Sequence, residues 1–148
     1  MSETRNRFDL NGEFRFKVDA KGRIQMPAKF RKVLSNDLVV SISPHDECLW
    51  VFEPVEFDAW VEQVFIDRFG GYNSSSRLHQ GLRRKLKRRA RDVEVDSAGR
   101  IMLPADMREA VGIDKDVVII GNTGYFEVFD AKRCDEVEKL YDFDELFD

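Results

Sequence analysis

Two stretches of this chain are copies of each other. VDAKGRIQMPAKFR occupies residues 18–31 and VDSAGRIMLPADMR occupies residues 95–108, a displacement of 77 positions. Val, Asp, Gly, Arg, Ile, Pro, Ala and Arg recur at matching places. Such a duplication constrains the fold more than any other feature. Each copy has too few apolar residues to bury a core alone, so the two must pack together. In EFRFKV, Phe14, Phe16 and Val18 point one way and Arg15 and Lys17 the other, as in a half-buried strand. DAKG has turn chemistry, with Gly22 free to take a positive φ. RIQMP resumes the alternation through Ile24 and Met26. Pro27 suits the first turn of a helix in which Phe30, Val33 and Leu34 share one face.

LVVSIS and CLWVFE read as two further strands. Pro54 then opens a helix with Phe57, Trp60, Val61, Val64 and Phe65 along one side. The second copy repeats this order in DVEV, RIML, PADMREAV, VVIIG and YFEVF, with Gly112 as the helix stop and DAKRCDEVEKLYDF as a last helix. The fold expected is α+β and mostly β, a pseudo-two-fold pair of repeats with short helices. The segments expected are a polar N-terminal extension (1–10), a first repeat (11–70), a linker and basic helix (71–91), a second repeat (92–141) and an acidic tail (142–148). In the linker helix Leu78, Leu82 and Leu86 form a narrow apolar stripe at four-residue steps.

The net charge of −4 hides an alternation. Residues 1–36 carry +5, residues 37–76 carry −7, residues 77–108 carry +6 and residues 109–148 carry −8. Each copy opens basic and closes acidic, so an acidic chain can still present a positive face. No apolar run approaches the roughly 18 residues of a membrane helix, and MSETRNRFDL lacks the apolar core of a secretory signal. Cys48 and Cys134 do not match between the copies, which argues against a disulfide framework and suits a reducing cytoplasm. His45 and Cys48 lack a second pair of metal ligands, and His79 stands alone, as an exposed helical histidine would. No nucleophile–base set or phosphate-cradling glycine loop is present, so neither an enzyme, a metal nor a cofactor is expected.

The chemistry concentrates in the Asp-x-x-x-Arg spacing, Asp19 with Arg23 and Asp96 with Arg100. Across a four-residue turn the aspartate can accept from turn N–H groups or hold the guanidinium fork. An arginine so held suits phosphate or guanine, and a pair that only fastens the turn is the alternative. Arg15, Lys17, Lys21, Lys29 and Arg31 surround the first turn and favour phosphate. The second copy has Asp92, Glu94, Ala98 and Asp106 where the first has Arg15, Lys17, Lys21 and Lys29. The first hairpin is therefore expected to be the main DNA contact, with Arg100 a lesser contact or a structural ion pair. The run RRKLKRRAR (83–91) reads either as a phosphate rail or as a partner for the acidic stretches. The tail YDFDELFD is either disordered or docked on a partner.

FRFKVDAKGRIQMPAKFR, followed 77 positions on by VEVDSAGRIMLPADMR and then by VVIIG and YFEVFD, resembles the MraZ family of bacterial transcriptional regulators, which carry two SpoVT/AbrB-like repeats in one chain. The resemblance covers roughly residues 11–141. It implies an AbrB-like swapped-hairpin fold that binds double-stranded DNA through the hairpins, here Asp19, Lys21, Gly22 and Arg23, and again Asp96 and Arg100. It also implies a ring-like homo-oligomer on promoter repeats, repression of the family's own division and cell-wall gene cluster, and a place in the cytoplasm on the nucleoid. Two departures stand out, the polar start (1–9) and the cationic helix before the second motif. The rival class is an AbrB-type antitoxin or interaction module, which would carry one hairpin and a long acidic extension.

Overall fold

The computed structural model describes residues 8–147. Most of the sheet is a single six-stranded antiparallel layer, and its strand order exchanges the two repeats. The first repeat supplies β1 (Glu13–Lys17), β2 (Arg23–Gln25), α1 (Ala28–Arg31), β3 (Asp37–Ile42), β4 (Leu49–Phe52) and α2 (Pro54–Phe69). After α3 (Arg77–Arg88), the second repeat supplies β5 (Ala90–Glu94), β6 (Arg100–Met102), α4 (Ala105–Ala110), β7 (Asp116–Gly121), β8 (Tyr125–Asp130) and α5 (Ala131–Glu138). The large sheet runs β1-β7-β8-β4-β3-β5. The first strand of each repeat thus pairs with the third strand of the other, β1 with β7 and β5 with β3. The two motif strands, β2 and β6, pair only with each other. This is the swapped-hairpin, pseudo-two-fold α+β arrangement expected of two such repeats.

Alternation along the strands produces two packed faces. Val40, Leu49, Val51, Val117, Ile119, Phe126 and Val128 form the inner face, which packs against Ile24, Met26, Phe30, Ile101, Leu103 and Met107 of the motif strands and α1 and α4. The opposite face is covered by α2, through Phe57, Val61 and Phe65 on Val39 and Phe52, and by α5, through Cys134 beside Val118 and Phe129. Phe8 and Leu10 are buried in the inner core, and Gly124 N–H donates to the Phe8 carbonyl. Of the segment read as a polar extension, residues 1–7 lie outside the described residues, and Phe8 and Leu10 belong to the fold.

Two local expectations shift. Pro27 is the residue before α1 rather than its first turn, with ψ of 132°, and α1 closes at Arg31. The chain leaves the helix before a second turn forms, so Val33 is exposed while Phe30 and Leu34 are buried. The last helix likewise ends at Glu138, ahead of a single 3-10 turn at Phe143–Leu146. The sheet edges also differ between the repeats. Lys17 lies opposite Asp116 and forms an ion pair of 2.7 Å, whereas Glu94 lies opposite Asp37. Opposed charges stabilise a cross-strand pair and like charges weaken it. Among the described residues no helix is long and apolar enough to cross a membrane.

Ile24 and Ile101 face each other across β2 and β6, and both are fully buried. Replacing Ile24 with Ala should destabilise the chain by about 2–5 kcal/mol in denaturant unfolding, since it opens a cavity at the join between repeats. Val33→Ala, at an exposed position, should change stability by less than about 0.5 kcal/mol.

Candidate nucleic-acid interface

Each Asp-x-x-x-Arg turn is closed by its own aspartate in two ways at once. Asp19 Oδ1 accepts the backbone N–H of Lys21 and of Arg23, both at 2.9 Å, and Oδ2 accepts Arg23 Nε at 2.8 Å. Asp96 repeats this with the N–H of Ala98 and Arg100 at 2.9 Å and Arg100 Nε at 2.9 Å. Gly22 and Gly99 turn the chain at φ of +83° and +81°. The backbone N–H donors, above all that of Arg23, hold the Asp19 carboxyl below its ordinary value, and the bond from the guanidinium adds to this. Asp96 is lowered in the same way, led by the N–H of Arg100. Each aspartate therefore both accepts from the turn N–H groups and holds the guanidinium. The aspartate fastens the turn, and through Nε it also sets the direction of the guanidinium.

Among the described residues, only Nε of each arginine side chain is hydrogen-bonded. Among the described residues the Nη atoms of Arg23 and Arg100 have no acceptor, and the side chains are 24% and 35% exposed. Pairing of β2 with β6 sets Arg23 opposite Met102 and Gln25 opposite Arg100. Because cross-strand partners share a face, these four side chains lie together, away from the buried Ile24 and Ile101. The result is a narrow ribbon whose outer face carries a guanidinium at each diagonal corner. Gln25 Nε2 donates to the carbonyls of Ala98 and Gly99 and so braces the second turn, a role its counterpart Met102 cannot take.

The two turns are also built from each other. Met26 N–H donates to the Gly99 carbonyl at 3.0 Å, and Leu103 N–H donates to the Gly22 carbonyl at 2.9 Å. The Arg108 guanidinium lies close against Gly22, so that a Cβ there would stand 2.7 Å from it, and Arg31 approaches Gly99 more closely still. Arg108 Nε donates to the Leu103 carbonyl. Arg31, expected beside the first turn, is thus placed at the second, and Arg108 takes its place at the first. Neither position could be assigned from local sequence, because it depends on how the repeats cross. The recurrence of Arg at 31 and 108 was the available signal.

The remaining cations divide. Lys21 and Lys29 are exposed and have no ion-pair partner among the described residues. Arg15 and Lys17 project from the edge strand β1 and are paired with Glu13 and Asp116. In the basic run, Arg83 meets Glu62, Lys87 meets Asp58, Arg89 meets Asp46 and Arg91 meets Asp106. Arg83 and Lys87 also lie over the rings of Tyr72 and Phe57. Pairing with the acidic stretch 37–76, one of the two readings left open, accounts for Arg83, Lys87 and Arg89, while the partner of Arg91 lies in the second motif itself. Arg84, Lys85 and Arg88 have no carboxylate partner among the described residues. His79 is not a free surface histidine: it stacks on Phe69 at 4.3 Å and accepts the N–H of Asn73. Cys48 is buried and donates to the Glu127 carboxylate, and that burial pushes its thiol upward, away from reactivity. Among the described residues no group of three or more His, Cys, Asp or Glu is arranged to hold a metal.

The family model described as "MraZ protein, putative antitoxin-like" matches residues 10–70 and 86–142. A protein of Symbiobacterium thermophilum called transcriptional regulator MraZ is 39% identical, over 88% of this chain and 93% of its own length. Proteins of the same name from Lachnoclostridium phytofermentans and Treponema denticola are 36% and 32% identical. They cover 93% and 88% of this chain, and 92% and 88% of their own lengths.

A carboxyl titration by NMR should place the midpoints of Asp19 and Asp96 below 3.8. A carboxyl lowered on folding stabilises the fold above its unfolded value, and that contribution is lost as pH falls through the folded value. In Arg23→Ala the Asp19 midpoint should rise only part of the way, since the two backbone donors remain. Gly22→Ala should cost about 1–3 kcal/mol, from its positive φ, and displace Arg108, whereas Gly81→Ala, on the open side of α3, should add about 0.5–1 kcal/mol.

Proposed function

The chain belongs to the MraZ family, and from that membership and its paired turns we propose that it is a transcriptional regulator that reads double-stranded DNA sequence with the β2–β6 ribbon. The single observation that carries the reading is the state of Arg23 and Arg100. Each has Nε fixed by an aspartate, both Nη atoms free, and a place on one exposed ribbon face. A two-stranded ribbon fits the major groove, and a guanidinium with two free nitrogens matches guanine O6 and N7 or a phosphate. The backbone of each turn, with Lys21 and Lys29 at the first and Arg108 and Arg31 across from their own repeats, would supply phosphate contacts. The relatives' shared name supports regulation of transcription.

The first turn is the stronger site in this reading. Lys21 and Lys29 have Ala98 and Asp106 as counterparts, and Asp106 is already paired with Arg91. Arg15 and Lys17 rank below these, because each has a carboxylate partner in the chain. A ribbon of three residues per strand covers few base pairs, so useful affinity requires several copies on one DNA. We therefore assign the chain a ring-like homo-oligomer binding short direct repeats, and a repressor's action at the promoter of its own division and cell-wall gene cluster, on the nucleoid. Two turns in one chain favour DNA over the antitoxin reading, which needs one hairpin and a long acidic extension.

Binding to the DNA upstream of the chain's own gene, measured by gel shift and footprinting, tests this. Arg23→Ala should lose about 1–3 kcal/mol per engaged turn, and Arg108→Ala should weaken binding with little change in sequence preference. Asp19→Ala removes a negative charge yet should weaken specific binding, because Arg23 loses its orientation. Affinity should fall steeply with salt. Unchanged affinity in Arg23→Ala would refute the role of the turn.

A further inference from the structure

We propose that the C-terminal segment of one copy docks in the groove between α2 and α3 of a second copy. This rests on, and gives a surface to, the multi-copy reading above. The segment carries five large apolar side chains, Leu140, Tyr141, Phe143, Leu146 and Phe147, each 66–74% exposed. Their hydrogen bonds and ring contacts are local, such as Phe143 with Phe147 at 5.3 Å and Leu140 N–H to the Val137 carbonyl. Apolar side chains this densely exposed on a folded chain mark a contact surface. Asp142, Asp144 and Glu145 lie among them, so the segment is acidic as well as apolar.

The groove has the complementary make-up. Phe65, Phe69, Leu82 and Leu86 line it, and Arg68 and Lys85 stand at its rim. Neither rim cation has a carboxylate partner among the described residues, and neither do Arg84 and Arg88 on the same helix. Leu78 and Leu82 of the α3 stripe are exposed, while Leu86 reaches the α2 cluster. The repeat supplies a second argument. Shifted by 77, residues 139–146 fall on residues 62–69, the half of α2 that α3 covers. The segment therefore resembles a helix half deprived of its cover, and the groove of a second copy offers that cover with charges of the right sign. Such a contact joins unlike surfaces, so copies add head to tail and close into a ring when the rotation permits.

Sedimentation velocity on the full chain tests the contact with two charge-reversed proteins. One carries Arg68→Glu and Lys85→Glu, and the other carries Asp142→Lys, Asp144→Lys and Glu145→Lys. Each alone should assemble at a concentration at least about tenfold higher than the unmodified chain. Mixing the two should restore assembly, because each reversed surface then meets an opposite one. Phe143→Ser with Leu146→Ser, which leaves the charges alone, should weaken assembly similarly. If the reversed proteins assemble like the unmodified chain, or if mixing restores nothing, the docking is overturned while the multi-copy reading stands. An unmodified chain that stays monomeric at every concentration and on DNA overturns both. Loss of DNA affinity with intact assembly in the groove variant would make α3 a phosphate rail and likewise overturn the docking.

Discussion

The antiparallel pairing of β2 with β6 governs the rest of the molecule. It brings the middle of each repeat against the middle of the other, with Ile24 on Ile101 at the centre and no solvent between them. From that join the chains diverge to opposite edges of the large sheet, so neither repeat has a complete sheet of its own. The backbone bonds of Met26 to Gly99 and of Leu103 to Gly22 extend the join to the turns. Burial of the ribbon's inner side pins its outer side, because alternate residues of a strand must face opposite ways. The exposure of Arg23 and Arg100 is thus a consequence of core packing rather than of the arginines themselves.

The local parts of this arrangement were legible in the sequence. A period of two through Phe14, Phe16 and Val18, and an aspartate three positions before a glycine, specify strand and turn by short-range chemistry that tertiary context does not override. The α2 face behaved the same way, because five apolar residues at helical spacing have only one side to bury. What the residues by themselves did not carry was the partner of a strand, for which only the family resemblance spoke. The pattern of β1 is the same whether it pairs with β3 or β7, so the positions of Arg31 and Arg108 were out of reach. Helix α1 is shorter than its apolar spacing suggested, because the chain turns towards β3 after one turn and leaves Val33 outside. Phe8 and Leu10 were hidden by polar neighbours, although their spacing of two was itself a strand-like sign.

Duplication also let the two repeats differ in charge. The first turn keeps Lys21 and Lys29, while the second has Ala98 and an aspartate already committed to Arg91. At the sheet edges, Lys17 is matched by Asp116 where its counterpart Glu94 faces Asp37. The cationic α3 is partly neutralised by the acidic α2 beneath it, which explains how a helix with so many like charges remains folded: Glu62 and Asp58 offset Arg83 and Lys87, and two rings take up their positive faces. The sequence's alternating charge blocks therefore correspond, at α2 and α3, to surfaces that meet.

The exchange of strands has a mechanical corollary. Both guanidinium groups ride on one three-rung ladder clamped at its centre and at both ends, so the interval between them is as rigid as the core itself. One chain behaves as a ruler with a single fixed graduation. Any adaptation to targets of different length has to come from outside that ladder.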